Sequence, residues 1–368
     1  MPGKYVYLLA DLKTGDIMEE LPLATVSFGQ TLNGPTSFTS SNAMTTGHIT
    51  PGQLSHGFSW DKFQRANIRP GARLIHVLRD SVPMYSGILY KATADPTTRT
   101  MQFSGADHLS YLARRRLETN QTFAAADQFQ IVRDLVDEMQ KTTYSDLGIQ
   151  VTSGNSGVTR DKEFKAIERW RFADALSEIA ELEDGFDYTM RVSGSVAAGI
   201  VPTLTLANRL GSNRNWVLQL GKNCESLSYS EDATDMANNY TIFGNGNSEE
   251  RPVFTARNPG SLNTYPQLDQ VRNIEATDKE TTLIQKTAYA YLAAYQTPVR
   301  TAVIQIDPSD PDIRFGAIQV GDDVRLIASY GFTEFDEKFR IMDIRVTVDA
   351  QGKESVILTL TQFESTVL

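Results

Sequence analysis

The last fifty residues constrain the fold most, because apolar and polar side chains alternate along two consecutive segments. Apolar residues take every second position, at Met342, Ile344, Val346 and Val348 and then at Val356, Leu358 and Leu360. Period-two alternation is typical of a strand with one buried face. Gly352 lies between the segments and lets the chain reverse at little steric cost. The pattern predicts a closing antiparallel hairpin, and no catalytic motif accompanies it, which favours a scaffold over an enzyme.

The length and the charge balance narrow the class of protein. A chain of 368 residues, 40% hydrophobic and 22% charged, is typical of a soluble globular protein of roughly two to three domains. The formal net charge of −10 argues against a free nucleic-acid binder, which needs cations to displace phosphate counterions. The same charge still allows DNA to pass by without being held.

Targeting and thiol chemistry are both predicted to be absent. Residues 1–10 contain too few apolar positions for a secretory signal, and no window approaches the ~18 apolar residues of a membrane span. We therefore expect no stable membrane insertion. Cys224 is the single cysteine, so no intrachain disulfide can form. We expect it to be a packed structural residue rather than a nucleophile.

The amino-terminal third reads as β-structure. Residues 5–10 and 17–23 flank a polar turn and predict a hairpin. The stretch from Gln30 to Gly57 is rich in Ser, Thr, Asn, Gly and Pro, which predicts an irregular, extended loop. Further strands are predicted over residues 73–79, 84–91 and 100–104, joined by short turns into an antiparallel meander or small barrel.

The middle of the chain changes to a helical period. Apolar residues at three- and four-residue steps predict helices over residues 129–139 and 169–182, the second ending at a C-cap at Asp184-Gly185. A strand is predicted over residues 186–192. A third helix, residues 278–296, follows a capping box of Thr277 and Glu280.

These elements predict a β-dominated α+β fold in three parts. Residues 1–118 are an amino-terminal β-barrel-like domain, and residues 119–222 are an inserted α/β domain with two amphipathic helices. Residues 223–368 are a carboxy-terminal α+β domain that contains the capped helix and the terminal hairpin.

No cofactor, metal ligand or catalytic residue is predicted. His48, His56, His76 and His108 lack metal-ligand spacing, and His76 is expected to pack between strands. Asp307, Asp310 and Asp312 could hold calcium. The two prolines among them explain the segment equally well as a rigid surface turn.

Two functions other than a scaffold remain open at this point. Four acidic residues near the end of the second helix could supply the carboxylate pair of a glycan-cleaving enzyme; they are Glu181, Glu183, Asp184 and Asp187. A carbohydrate-binding module would present clustered aromatic residues, but Trp60, Trp170 and Trp216 lie far apart in the sequence, and Trp170 is predicted to begin a helix.

Four segments, in order along nearly the whole chain, resemble one family. They are residues 11–23 with 32–35, residues 86–90 with 111–116, residues 237–244 with 298–300, and the Gly-Asp segment 316–326 with the terminal hairpin. In these segments the chain resembles the baseplate hub, or tail-associated minor tail proteins, of long-tailed bacteriophages. That family is related to the hubs of contractile tails and of type VI secretion spikes.

The resemblance implies antiparallel tail-tube-like β-barrel domains with α/β domains inserted between or around them. It implies a homotrimer that continues the tail tube at the tip of the virion tail, made in the cytoplasm of the bacterial host. The implied partners are the distal tail protein, the tape-measure protein and the central fibre or receptor-binding parts. DNA would be a partner only in passage, when the ring opens for ejection.

Overall fold

The fold is β-dominated α+β, as the sequence predicts. The computed structural model describes residues 3–43, 67–95, 97–98, 100–141, 143–246, 251–274, 281–308, 316–331 and 334–362. Strands account for 50% of these residues and helices for 15%. Within these ranges the strands form four sheets, the largest of thirteen strands, and no helix is long and apolar enough to cross a membrane.

Seven amino-terminal strands form one part of the large sheet, each antiparallel to its neighbours. They are β1 (Tyr5–Asp11), β2 (Ile17–Glu20), β3 (Thr25–Thr31), β4 (Ser37–Ala43), β5 (Arg73–Arg79), β6 (Val82–Asp95) and β7 (Thr100–Asp107). Their order across the sheet is β3-β4-β7-β6-β5-β1-β2. The predicted first hairpin and the predicted meander of β5, β6 and β7 are confirmed.

The predicted loop from Gln30 to Gly57 is wrong for residues 30–31 and 37–43, which belong to β3 and β4, whereas residues 32–36 between these strands form a turn. The rest of that prediction, with His48 and His56, lies outside the described residues. The composition predicted a loop instead of a strand because polar residues occupy both faces of β4. Its buried Asn42 accepts a hydrogen bond from the Ala24 N–H at 2.7 Å and donates one to Ser40 at 3.4 Å. A hydrogen-bonded amide can be buried where an apolar residue is usual.

A second group of elements encloses its own core, and we call it the helical module. Its elements are α1 (Leu109–Leu112), β8 (Gln121–Asp127), α2 (Gln128–Gln140), β9 (Gln150–Val151), β10 (Thr159–Phe164), α3 (Phe172–Ala180), β11 (Asp187–Ser195) and β12 (Gly199–Ala207). The core includes Phe129, Leu135, Phe164, Leu176 and Leu204. Helix α2 confirms the predicted helix over residues 129–139, because its apolar stripe faces this core.

Helix α3 is shorter than predicted at both ends. It begins at Phe172 because Arg169 has a φ of +56° and turns the chain before the helix, so Trp170 does not begin it. It ends at Ala180, and Asp184, not Gly185, has a positive φ, +54°. Gly185 is needed for a different reason: a Cβ there would lie 2.0 Å from the Ala180 carbonyl oxygen.

The chain then contributes two strands to the large sheet and forms a third core. Strands β13 (Asn213–Gln219) and β14 (Cys224–Asp232) precede β15 (Asn239–Phe243), β16 (Val253–Arg257), β17 (Asp269–Asn273) and α4 (Thr281–Tyr295). The last four elements form what we call the small module, where α4 packs its Ile284, Ala288 and Leu292 on a three-stranded sheet. Helix α4 confirms the third predicted helix, and the predicted capping box lies outside the described residues.

The carboxy-terminal strands complete the large sheet. They are β18 (Val299–Ile306), β19 (Asp323–Ala328), β20 (Phe335–Val348) and β21 (Glu354–Gln362), and the terminal hairpin of β20 and β21 is confirmed. Strand β20 pairs with β3, from Asp343 opposite Thr31 to Val348 opposite Val26. A Cβ on Gly29 would lie 1.8 Å from the Ile344 carbonyl oxygen, so this seam requires a glycine.

Both ends of the chain share the core of the large sheet. Buried side chains of β1, β3, β4 and β7 pack together with those of β18 to β21, among them Phe28, Phe38, Phe103, Ile304 and Leu358. Apolar area buried at one face in this way stabilises by about 25 cal/mol per Å². The domain boundaries at residues 118 and 222 stay a prediction.

Candidate functional surfaces

The outer face of the large sheet carries hydroxyl groups in register across six strands. One row runs from β21 to β6 as Ser355, Thr347, Ser27, Thr39, Ser104 and Lys91. At about 4.8 Å between strands, this row is about 24 Å long. A parallel row runs through Thr25, Ser41, Gln102 and Thr93. We call these two rows the hydroxyl face.

The rows contain one charged side chain, that of the exposed Lys91, and the nearest other charges are engaged by their own neighbours. Asp343 accepts a hydrogen bond from Thr31 at 2.6 Å and lies 4.0 Å from Arg345. Arg345 in turn donates to the Ser37 hydroxyl at 2.8 Å. A shallow depression of about 260 Å³, lined mainly by Ser, Thr and Gln side chains, lies over β3, β4 and β7. The face can hold water on its hydroxyls, and it offers a polyanion few cations to bind.

The large sheet ends in strands with one neighbour each among the described residues. These edge strands are β2, β13 and β14, which pair only with β1, β19 and β18. An edge strand presents unpaired N–H and C=O groups on which another strand can pair. Edges of this kind are the places where a second chain can extend the sheet.

The acidic residues predicted as a glycan-cleaving pair hold modules together. Glu181 forms an ion pair with Arg272 and accepts a hydrogen bond from Tyr291 at 3.0 Å. Glu183 and Asp184 lie 3.2 and 3.9 Å from the ammonium of Lys286. These partners belong to β17 and α4, so the carboxylates join the end of α3 to the small module.

Asp187, the fourth member of that acidic group, is buried instead. It pairs with Arg340 of β20 and accepts the Leu210 N–H at 2.7 Å. Next to it, Asn33 accepts the Tyr188 N–H and donates its own N–H to the Tyr188 carbonyl, each at 2.8 Å. The carboxylate therefore fixes the helical module to the large sheet, and its oxygens are already in use.

Two histidines are buried on the second face of the amino-terminal strands. His76 lies opposite Ser86 in the β5–β6 register, and His108 follows β7. Burial lowers the pKa of His76 to about 4 and that of His108 to about 3, so both rings are neutral. Burial also raises the pKa of the adjacent Asp107 to about 7. The prediction that His76 packs between strands agrees with this position.

The remaining candidates are the cysteine, the calcium prediction and the tryptophans. Cys224 is buried, and burial raises the pKa of its thiol to about 11, as suits a structural residue. No group of three or more His, Cys, Asp or Glu side chains that could hold a metal ion occurs among the described residues. Asp310 and Asp312 of the calcium prediction, and Trp60, lie outside them. Trp170 and Trp216 lie in different modules.

Solved structures share the whole fold at low sequence identity. The 43 kDa tail protein of prophage MuSo2 from Shewanella oneidensis matches with a TM-score of 0.64 and 11% identity, over 97% of this chain and 98% of that one. Prophage tail protein gp18 from Listeria monocytogenes matches with a TM-score of 0.55 and 12% identity, over 98% and 96%. A chain of the Francisella PdpA-VgrG complex matches with a TM-score of 0.54 and 8% identity, over 99% and 58%.

These likenesses confirm the predicted fold, which is that of phage tail proteins. They are likenesses of structure, because no protein-family model and no curated protein matches the chain in sequence. The tail proteins match over nearly their full length, whereas this chain spans just over half of the chain in the Francisella complex.

Proposed function

We propose that this chain is a structural hub subunit at the tip of a long phage tail. Its fold supports this, and the observation that carries it is the hydroxyl face, a polar and charge-poor wall across six strands of one sheet. In this role the face lines the channel, and the apolar core behind it keeps the wall rigid.

Three copies form the ring that continues the tail tube. The edges of β2, β13 and β14 support this arrangement, because each offers backbone groups to a neighbouring copy. A contact between different patches of two copies closes into a ring when the rotation per copy fits. The ring lies next to the distal tail protein and the end of the tape-measure protein, and it holds the central fibre or the receptor-binding parts. Its opening lets the tape measure and then the DNA leave.

The charge distribution suits the passage of DNA rather than its binding. The chain carries a net charge of −10, and the hydroxyl rows contain a single cation, Lys91. The charges beside the rows, Asp343 and Arg345, are already paired with their neighbours. A wall that bound many phosphates would slow the DNA, since each phosphate contact adds to a salt-dependent affinity. Hydroxyl groups keep a water layer at the wall without retaining the polymer.

Electron microscopy of the purified chain over a concentration series tests the ring. We expect particles of three-fold symmetry with a central hole, and monomers at every concentration, with or without the distal tail protein, would contradict the proposal.

A phage carrying Ser27→Lys, Thr39→Lys and Ser104→Lys tests the wall. We expect intact tails but slower DNA ejection, by about tenfold or more. A control variant with lysines at Gln130 and Asp137, on the outside of α2, changes the net charge by the same +3 and controls for charge alone.

A further inference from the structure

Five arginines cluster at the end of the helical module where α3 begins. Arg114, Arg115 and Arg116 follow α1, and Arg169 and Arg171 flank Trp170. The two segments run side by side, because the Leu117 N–H donates to the Trp170 carbonyl at 2.9 Å and the Phe172 N–H to the Arg115 carbonyl at 3.3 Å. We call this set of five the arginine cluster.

The arrangement places like charges together. Arg116 lies directly opposite Arg171 in an antiparallel bridge, and like charges in that position destabilise a sheet. The Arg116 guanidinium donates to the Arg169 carbonyl at 2.7 Å, and Arg169 itself has a φ of +56°. A non-glycine residue in the left-handed region is uncommon, and this one turns the chain before α3.

The cluster also has few anionic partners of its own. Among the described residues, the five arginines form one ion pair, that of Arg171 with Asp174 at 3.9 Å. The carboxylate of Glu168 lies in the same depression, where it accepts the Trp170 indole N–H at 2.7 Å. Arg114 lies over the Tyr90 ring, and the buried Nε of Arg115 has no acceptor. In a chain of net charge −10, most arginines should find a carboxylate. Five arginines with one ion pair among them leave the cluster short of carboxylates, so it can accept an anion from another molecule.

The surroundings of the cluster favour a protein as that molecule. An open depression of about 510 Å³ is lined by Arg116, Arg169 and Arg171 together with Trp170 and the acidic residues Glu168 and Asp174. Beside it Ile167 is 85% exposed. Arginine and tryptophan are enriched at the centres of protein interfaces, where an exposed aliphatic side chain is also covered. A phosphate polymer would leave Ile167 uncovered.

The chain carries an acidic segment of matching charge. Residues 231–235, at the end of edge strand β14 and just after it, are all exposed and include Glu231, Asp232 and Asp235. Glu231 pairs with Arg300, but Asp232 and Asp235 have no basic partner within the described ranges. No ion pair in those ranges joins this segment to the arginine cluster, so both are available to a second molecule.

We propose that the arginine cluster of one copy binds residues 231–235 of a second copy of this chain. The contact joins two different patches, so each copy gives one patch to each of two neighbours, as a ring requires. Guanidinium groups pair with carboxylates in fixed geometry, and Ile167 and Trp170 are covered in the contact. This inference rests on the proposed multi-copy hub and names the contact that holds the copies together.

Charge reversal on each side tests the contact by sedimentation of the full chain in 50 mM and 500 mM NaCl. We expect self-association in low salt that is weakened in high salt. Arg116→Glu with Arg169→Glu, or Asp232→Lys with Asp235→Lys, should each weaken it at least tenfold. The chain with all four changes should associate again. Lys222→Glu with Lys353→Glu changes the net charge as the arginine variant does and should associate like the wild type.

Mixing the two defective variants distinguishes this contact from a symmetric one. The acidic segment of the arginine variant matches the cluster of the aspartate variant, and its Glu-substituted cluster matches the Lys-substituted segment. A mixture should therefore associate beyond two copies in alternating order, whereas a symmetric contact would stop at dimers. A wild-type chain that stays monomeric in low salt overturns the inference, as does association that neither variant changes. Binding of a DNA duplex that the arginine variant alone loses, with self-association unchanged, would assign the cluster to nucleic acid instead.

The same variants separate this inference from the proposed function. Three-fold rings that persist in both variants would refute this contact and leave the hub proposal intact. Association that follows the charge swaps but gives particles without three-fold symmetry would support the contact and refute the ring of three.

Discussion

Two junctions of the helical module use carboxylates only a few residues apart, and they differ in burial. At the first, Asp187 is 8% exposed, pairs with Arg340 and accepts a backbone N–H. At the second, Glu181 pairs with Arg272, and both side chains are roughly half exposed. Water screens the second pair and is excluded from the first.

The difference shows that burial determines how much each ion pair contributes to the stability of the fold. Removing one partner of a buried pair leaves an uncompensated charge and costs about 3–5 kcal/mol. An exposed pair contributes about 0.2–1 kcal/mol because water and salt screen it. The helical module is therefore fixed firmly to the large sheet and attached more weakly to the small module.

The largest expected effect is that of Asp187→Ala. The change leaves the Arg340 guanidinium without its carboxylate, and we expect unfolding in urea to show a loss of about 3–5 kcal/mol. Asp187→Ala combined with Arg340→Met should lose less than the sum of the two single changes, because no buried charge remains. A matched cycle of Glu181→Ala and Arg272→Ala should show coupling below about 1 kcal/mol. Equal coupling at both junctions would contradict the comparison.

A pH titration extends the comparison to buried histidines. Unfolded histidines take up protons below about pH 6.5, whereas His76 and His108, with pKa values of about 4 and 3, stay neutral in the folded chain. The contribution of the two histidines to stability is therefore full above pH 6.5 and falls as the pH drops towards 4. Asp107, with its pKa raised to about 7, opposes this by binding one proton in the folded state.

The balance over that window is about one proton more on the unfolded chain. We expect stability to fall by about 1.4 kcal/mol per pH unit between pH 6 and 5. His108→Leu should flatten the slope, which urea titrations at several pH values would measure. A slope that the substitution leaves unchanged would show that other groups control the acid response.

Salt should act on the exposed junction alone. In 1 M NaCl the Debye length falls to about 3 Å, so the pairs of Glu181 and Lys286 weaken while that of Asp187 does not. Hydrogen exchange should quicken modestly, by about fivefold or less, in β17 and in α4, and β11 should keep its protection. Faster exchange in β11 at the same salt would show that the junction with the large sheet is the weaker one, which would contradict the comparison.

The smallest effect is expected for Glu183→Gln in the phage. Its carboxylate only approaches Lys286 at the surface, so we expect intact tails and unchanged plaque titres. Loss of infectivity with intact tails and a folded chain would instead favour the glycan-cleaving alternative.

The period of apolar residues predicted much of the fold, because each predicted segment buries one face locally. Helix α2 and the hairpin of β20 and β21 are of this kind. Strand β4 could not be predicted in the same way, because Ser40 and Asn42 are buried and hydrogen-bonded inside the sheet. The polarity of a segment does not show whether its polar side chains will find hydrogen-bond partners inside a sheet.

The candidate surfaces were less visible in the sequence for the same reason. The hydroxyl face combines residues from six strands, and only the register brings Ser27 next to Thr347 and Thr39. The acidic residues near Glu181 could be found as a cluster, but their partners Arg272 and Lys286 follow about ninety to one hundred residues later. Of the arginine cluster, the sequence shows the run at residues 114–116 and not its position against Arg171.

The seam of β3 and β20 has a consequence for the order of synthesis. Thr31 meets Asp343 across 312 residues of chain, and a ribosome adds about 5–20 residues per second, so β3 waits roughly 15–60 s for its partner. During that interval the strand edge and the apolar face of β3 are uncovered. The nascent amino-terminal strands therefore need to be shielded during synthesis, and we expect the supply of chaperones, rather than the stability of the finished fold, to set the yield of the protein.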